Sequence, residues 1–430
     1  IPDNTIQCAI TSPPYFGLRS YKTEPQIWDA DSGCEHVWQS ETRPGMTGGH
    51  GEASPIQSQN RATASIFGKI EHAVCIHCPA WRGELGLEPS PDLYVKHLVQ
   101  IFQELRRILR KDGVFWLNIN DSYAGSGGNS FASPQTKGSS GIASSMPEVS
   151  IGKDLTQFGY KPKDLMGIPW RLALALQADG WWLRCDVIWN KKNCMPSSVT
   201  DRPTRSHEYV FMLTKSADYF YDIDAIREPH LWLDSDSRRQ NFFDPSLTND
   251  KHLGVEQVGK TRHGRPRSED YHPLGRNKRS VWTINTRPFS ESHFAVFPPD
   301  LVLDPIKAST SEHGCCSICG APWNRIVEEL VLKHGGSTGE KTAQQYGSSS
   351  SRLRGMVMRD SKGFESGCEH HVTPTIPCLV LDPFVGSGTS GIVARKLGCR
   401  FIGIELQKHY IAMIKRRLGE SMPLFDLVPE

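Results

Sequence analysis

Three groups of residues in this chain have types and spacings suited to chemistry. Near the C-terminal end, Leu381-Asp382-Pro383-Phe384-Val385-Gly386-Ser387-Gly388-Thr389 follows the apolar run Cys378-Leu379-Val380-Leu381. Ile392, Val393 and Leu397 then fall at helical spacing, and Gly398 stands where a C-cap glycine belongs. In a strand, glycine turn and helix, backbone N–H groups can approach a ligand closely, because glycine has no Cβ in the way. Arg400-Phe401-Ile402-Gly403-Ile404-Glu405 reads as a second strand ending in a carboxylate, the position that takes the two ribose hydroxyls of a nucleoside. No Gly-Lys-Ser/Thr follows the turn, so it is not a phosphate-cradling Walker loop. At the other end of the chain, Thr11-Ser12-Pro13-Pro14-Tyr15 closes the apolar strand Ile6-Gln7-Cys8-Ala9-Ile10. Its two prolines stiffen a turn so that a backbone carbonyl points outward beside a hydroxyl and an aromatic ring.

The third group is cysteine and histidine. Twelve cysteines in 430 residues are not a disulfide scaffold, so their spacing decides their meaning. Cys34 and His36 are followed about forty residues on by Cys75 and Cys78; Cys316 and Cys319 are followed about fifty residues on by Cys368 and His370. The order is inverted between the two sets, and Trp81 and Trp323 follow the Cys-x-x-Cys turns. Two sets of four borderline-soft ligands call for two structural Cys3His zinc sites, closed to any catalytic water. Cys315 or His371 could substitute for a neighbouring ligand. Cys8, Cys185, Cys194, Cys378 and Cys399 read as core or surface thiols.

The elements that position these groups alternate. Residues 92–110 form an amphipathic helix with Leu98, Phe102, Leu105 and Leu109 on one face, closed by Lys111-Asp112-Gly113. Val114–Ile119 is a buried strand, with Asn118 and Asp121 placed either to line a site or to cap the strand end. A second helix, Trp170 to Ala178, closes at Gly180 before strands at Trp181–Trp189 and Glu208–Leu213. Such alternation implies a mainly parallel, helix-covered sheet. A Ser/Gly-crowded stretch at about 122–150 reads as a lid or loop. The net charge of +2 and pI near 8.0 do not by themselves call for nucleic acid. Between Lys251 and Arg287, however, nine Lys and Arg face three acids, a local patch fit for phosphate and base contact. In a chain that acts on DNA, Arg262, Arg265, Arg267, Arg276, Lys278 and Arg279 would be its contacts; otherwise the run is a solvated basic loop. No apolar run reaches membrane-spanning length and no signal peptide opens the chain, so a cytoplasmic protein is expected.

Ser-Pro-Pro-Tyr early and Asp-Pro-Phe-Val-Gly-Ser-Gly-Thr late together resemble the amino-methyltransferases of DNA that use S-adenosylmethionine. The order catalytic motif, recognition region, cofactor motif resembles the β-class arrangement. Relatives usually carry more sequence ahead of the first strand, so a short N-terminal piece is expected to be absent. The resemblance implies a Rossmann-like, mainly parallel α/β sheet, circularly permuted so that the cofactor unit comes last, with two zinc-knuckle insertions and a target-recognition region.

The expected division is 1–29 for the catalytic start, 30–90 for a zinc-binding insertion, 91–224 for the core and 225–292 for target recognition. It continues with 293–310 for a cofactor-covering segment, 311–376 for a second zinc insertion and 377–430 for the cofactor unit. By resemblance, Ser12 and the Pro13 carbonyl accept hydrogen bonds from the target amino group, Pro14 holds the turn and Tyr15 stacks on a base rotated out of the duplex. Asp382, Phe384, Gly386, Gly388, Thr389 and Glu405, with Phe297 and Pro298 from the covering segment, are expected at the cofactor. Serine at the first motif position leans toward cytosine-N(4). Adenine-N(6), or an inactive zinc-stabilised DNA-binding module, are the alternatives. Double-stranded DNA is the expected partner, with or without a cognate restriction endonuclease.

Overall fold

All six residues of β1 (Ile6–Thr11) are buried, Gln7 and Thr11 included, which is the pattern of a central strand covered on both faces. The structure is a computed structural model. It describes residues 1–18, 20–21, 23–40, 72–124, 155–194, 196–197, 199–229, 275–287, 297–331, 357–370 and 374–420. The loop expected at 122–150 lies outside them beyond Ala124, as do Arg262, Arg265 and Arg267.

Further strands are β2 (Gln26–Trp28), β3 (Trp38–Ser40), β4 (Ala73–Cys75), β5 (Trp81–Gly83), β6 (Leu109–Ile119), β7 (Trp182–Asn190), β8 (His207–Thr214) and β9 (Val281–Thr283). They continue with β10 (Asn324–Val331), β11 (Val357–Glu365), β12 (Leu379–Asp382) and β13 (Arg400–Gly403). The described helices are α1 (Pro91–Ile108), α2 (Ile168–Ala178), α3 (Pro299–Ser309), α4 (Thr389–Lys396) and α5 (Lys408–Glu420). None of them is long and apolar enough to cross a membrane.

Seven strands form one sheet in the order β13-β12-β1-β6-β8-β7-β9. β13, β12, β1 and β6 run parallel, β8 is antiparallel to both β6 and β7, and β9 is parallel to β7. Among the described strands, β8 is therefore the single reversed one of this mainly parallel sheet. The chain crosses from β6 through α2 to β7, leaving a gap of one strand that β8 returns to fill. The unit β12-α4-β13, last in sequence, docks beside β1, first in sequence, which is the permuted arrangement.

α1 starts at Ser90, whose hydroxyl accepts the Leu93 N–H at 3.2 Å, with Pro91 in the first turn and Asp92 facing the positive helix end. Tyr94, Leu98, Phe102 and Leu105 share its buried face and join the main core with Phe115, Leu117 and Phe211. Burying each such side chain stabilises by about 1.5–3 kcal/mol. The expected stop at Lys111-Asp112-Gly113 is different. β6 begins at Leu109, directly after the helix, and these residues are a bulge inside it: Ile6 pairs with Leu109 but Cys8 with Val114. Arg110 Nε, 2.8 Å from Asp112 Oδ1, braces that bulge.

The chain divides into two compact units, Ile1–Phe220 with Ser280–Ile306 and Cys378–Glu430, and Tyr221–Arg279 with Lys307–Pro377. Ser280–Arg287 falls in the first unit, where β9 pairs with β7. The first unit also holds a four-stranded antiparallel sheet, β2-β5-β4-β3. In the second, β10 and β11 form an antiparallel pair.

Candidate active site

The two ends of the sequence meet at one edge of the sheet. Ala9 pairs with Leu381, so Ser12 and the Asp382 turn leave adjacent parallel strands at the same level. Ligand crevices in open α/β sheets form at such carboxyl ends. Thr11 Oγ1 donates to Asp382 Oδ1 at 2.5 Å, Ser390 Oγ donates to Oδ2 at 2.5 Å, and the Phe384 N–H reaches Oδ1 at 3.0 Å. Both oxygens of Asp382 are thus engaged within the chain. Burial pushes its carboxyl up to about 6, against the pull of the Ser390 and Thr11 hydroxyls.

Gly386 and Gly388 have φ of 52° and 80°, the left-handed region that glycine enters without a Cβ penalty. Gly388 leads into α4, and Thr389 and Ser390 are buried in its first turn. A Cβ on Gly391 would stand 2.6 Å from the Phe401 ring, so α4 packs close on β13. Glu405, past the end of β13, accepts the Gly386 N–H on Oε2 at 3.0 Å and the Gln407 N–H on Oε1 at 2.9 Å. Burial raises its pKa. Each oxygen keeps acceptor capacity, and a pair of vicinal hydroxyls is the complementary donor set. Phe384 is half-buried against the main core. Phe297 is half-buried and Pro298 buried, and the Pro298 carbonyl takes the Leu301 N–H at the start of α3.

Thr11 pairs with Leu117, so Ser12 and Asn118 emerge side by side from β1 and β6. The Pro14 carbonyl accepts the Tyr94 hydroxyl at 2.7 Å, which fixes the proline turn against α1. Gly86 lies against the same turn: a Cβ there would meet the Tyr15 carbonyl at 3.2 Å. Tyr15 points its hydroxyl inward, 3.1 Å from Ser12 Oγ, 2.8 Å from Glu208 Oε2 and 3.2 Å from Asn118 Oδ1. Burial first, then the Glu208 charge, hold the phenol well above its ordinary pKa, so it remains a donor at neutral pH. Of the two strand-end polar residues singled out from sequence, Asn118 joins this network. Asp121 instead caps α2, accepting the Gly167 and Ile168 N–H groups at 3.1 and 3.0 Å.

Glu208 and its ion-pair partner Lys191 were not among the expected site residues. The signal was an acid opening an otherwise apolar strand. β8 runs against its neighbours, so its first residues lie at the edge where β1, β6 and β7 end.

The two cysteine–histidine sets also assemble. In each, Cys34, His36, Cys75 and Cys78 or Cys316, Cys319, Cys368 and His370, the four ligand atoms lie within 4.8 Å of one another. In the first, the Cys34 and Cys75 sulfurs are 3.8 Å apart and Cys78 Sγ is 3.4 Å from His36 Nδ1. Those separations fit a tetrahedron with metal–sulfur bonds of about 2.3 Å, whose edge is about 3.8 Å. Cys315 is not part of the second set, and its backbone bridges to Ile376; His371 lies outside the described residues. Of the basic residues, Arg276 and Arg279 both pair with Glu228, at 3.0 and 3.2 Å.

Comparison with known proteins gives the family. Residues 6–317 and 378–416 match the N6/N4 methyltransferase family described as DNA methylase. The chain belongs to this family of DNA amino-methyltransferases. The type II methyltransferase M.SmaI of Serratia marcescens is 35% identical over 78% of this chain and 77% of its own length. M.XycI of Xanthomonas campestris pv. cyanopsidis is 31% identical over 97% of this chain and 83% of its own. Among solved structures, the PvuII cytosine-N4-specific DNA methyltransferase aligns over all of this chain and 83% of its own, with a TM-score of 0.43 and 12% identity. At that overlap the structural match adds nothing to the assignment. Membership makes S-adenosylmethionine the methyl donor and DNA the substrate of this methyltransferase.

Proposed function

We propose that this DNA methyltransferase methylates the N(4) amino group of cytosine in duplex DNA, on a base rotated out of the helix. The observation that carries the reading is Ser12, a neutral hydroxyl on the proline turn, set beside the cofactor strand and hydrogen-bonded inward to Tyr15. Serine at this position is the form the resemblance associates with cytosine.

Bound S-adenosylmethionine supplies a methyl group activated by its sulfonium. Glu405, oriented by the Gly386 and Gln407 N–H groups, takes the ribose hydroxyls, and the Gly386–Gly388 turn lets the backbone approach. Asp382 acts by holding the end of β1 to the turn. The exocyclic amino group is a poor nucleophile because its lone pair is delocalised into the ring. Ser12 Oγ and the Pro13 carbonyl accept its two hydrogens out of the ring plane, favouring the pyramidal geometry of the transition state over the ground state. The ring of Tyr15 stacks on the extruded base. The N–C bond forms as the S–CH3 bond breaks, leaving the thioether; the surplus amino proton passes to water, and no covalent enzyme intermediate is needed.

Each cysteine–histidine set holds one structural zinc ion, the first at the β2–β5 sheet, the second where β10 and β11 begin and end. The ions brace the insertions and take no part in methyl transfer. Arg262, Arg265, Arg267, Arg276, Lys278 and Arg279 contact DNA; the Glu228 pairing holds Arg276 and Arg279 in place for it.

The test is incubation with methyl-labelled S-adenosylmethionine and mixed-sequence duplex DNA, followed by digestion to nucleosides. Label in N(4)-methylcytosine is expected. Label in N(6)-methyladenine would keep the mechanism and overturn the base assignment, whereas cofactor binding without any labelled nucleoside would leave a DNA-binding module.

A further inference from the structure

The hydrogen-bond network behind Ser12 has a direction, and residues remote from the proposed substrate set it. Tyr15 has one hydroxyl hydrogen and three neighbours: Ser12 Oγ, Glu208 Oε2 and Asn118 Oδ1. The two inner neighbours are both acceptors. A carboxylate cannot donate. The Asn118 amide is fixed because its Nδ2 donates to the Tyr209 carbonyl and to Glu208 Oε2, each at 3.1 Å, leaving its oxygen toward Tyr15. Lys191, which can only donate, holds the other oxygen of Glu208, and its ammonium also lies 4.1 Å from the centre of the Trp189 ring. The tyrosine hydrogen therefore points inward, and toward Ser12 its oxygen can only accept. The hydrogen of Ser12 is drawn in behind the turn, and the serine lone pairs remain for a substrate.

This matters because a serine hydroxyl is a rotor that can donate or accept. Were it to donate to the target amino nitrogen, it would occupy the lone pair that must attack the methyl group. We propose that Glu208, neutralised by Lys191, is a positioning residue that acts through Tyr15 and Asn118 to hold Ser12 as a hydrogen-bond acceptor toward the target amino group. This rests on Ser12 as the acceptor of the amino hydrogens, and it holds for cytosine or adenine alike, since both present an N–H2 group. The fold makes the arrangement available: Asn118 pairs with Val210, and Glu208, two residues before Val210 on β8, pairs with Trp189. Successive rungs at the ends of β6, β8 and β7 thus bring the amide, the acid and Lys191 together. Buried polar networks of this kind are costly unless every member is satisfied, and here each named group has its partner.

The experiment is single-turnover methyl transfer from labelled S-adenosylmethionine to duplex DNA, beside equilibrium binding of the cofactor. It compares the full chain, Glu208→Gln, Glu208→Asp, Tyr15→Phe and the double variant Glu208→Gln/Tyr15→Phe. Glutamine offers an N–H2 that can donate to Tyr15 and reverse the network. Phenylalanine keeps the ring for stacking and removes the oxygen that takes the serine hydrogen. Glu208→Gln and Tyr15→Phe are each expected to slow transfer about a hundredfold, the scale of losing one oriented hydrogen bond in an active site, with cofactor affinity unchanged. Glu208→Asp should recover part of the rate. Because the two residues act in series, the double variant should be no slower than the slower single one. Transfer by Glu208→Gln at the full rate, or losses that multiply in the double variant, would overturn the proposal. Should Glu208→Gln also lose cofactor binding, Tyr15→Phe decides, and a full rate there overturns it. An unmutated chain that transfers methyl to neither base would instead sink the underlying assignment of Ser12.

Discussion

Asp382 is a motif residue whose two carboxylate oxygens are both engaged within the chain. Its carboxylate is buried, bound by two hydroxyls and one N–H, and pushed up to about 6 from an ordinary value of 3.8. A carboxyl raised in the folded state binds its proton more tightly there than in the unfolded chain. Its contribution is therefore fully present below about pH 4 and lost as pH rises to about 6. Two units correspond to on the order of 3 kcal/mol. Asp382→Asn, which imitates the protonated acid, should accordingly gain stability relative to the unmutated chain as pH rises from 4 to 7. Paired denaturant titrations across that range measure it, and a constant difference would contradict the account. The motif was legible as sequence, since Ser12 to Tyr15 and Asp382 to Thr389 stand out by residue type and spacing. The partners that explain them were not. Thr11 and Asp382 are 371 residues apart, and Glu208 and Lys191 acquire meaning only when β7 and β8 bring them behind Tyr15.

The elements were read from sequence unevenly, for a physical reason. α1, α2, β1 and the unit β12-α4-β13 carry local signals, namely an apolar stripe, a short apolar run or a glycine stop, and they fold where those signals lie. The bulge at Lys111-Asp112-Gly113 looked like a helix terminator, because its real cause is the register of β6 against β1, which no local pattern encodes. β9 is three residues long and exists through its pairing with β7. The placing of β8 between β6 and β7 is likewise non-local. Close packing of α4 on β13 gives a direct test. Gly391→Ala puts a Cβ against the Phe401 ring and should destabilise by about 1–3 kcal/mol, the cost of an overpacked contact. Cofactor affinity should fall with it, because Glu405 and the glycine turn are tied through the same unit. Thermal unfolding and cofactor titration report the two effects, and an unaltered protein would show that α4 can move away freely.

On the scale of the whole molecule, two insertions with inverted cysteine–histidine order accompany one methyltransferase sheet. Elemental analysis of the purified protein should return two zinc ions per chain. Cys34→Ser should lower that to one while the second set stays loaded; one ion in the unmutated chain, or none, would remove the structural role proposed for one or both sets. Binding to DNA should weaken steeply with salt, as expected of contacts made by the basic residues between Lys251 and Arg287. The central claim is that Ser12 and Glu405, from opposite ends of the sequence, serve one reaction with separate duties. The most direct measurement is the Ser12→Ala variant, assayed for cofactor affinity and for single-turnover methyl transfer to duplex DNA. Unchanged cofactor affinity with transfer slowed by about a hundredfold or more is expected, since the lost interaction forms with the reacting amino group. Transfer by Ser12→Ala at the full rate would contradict the account.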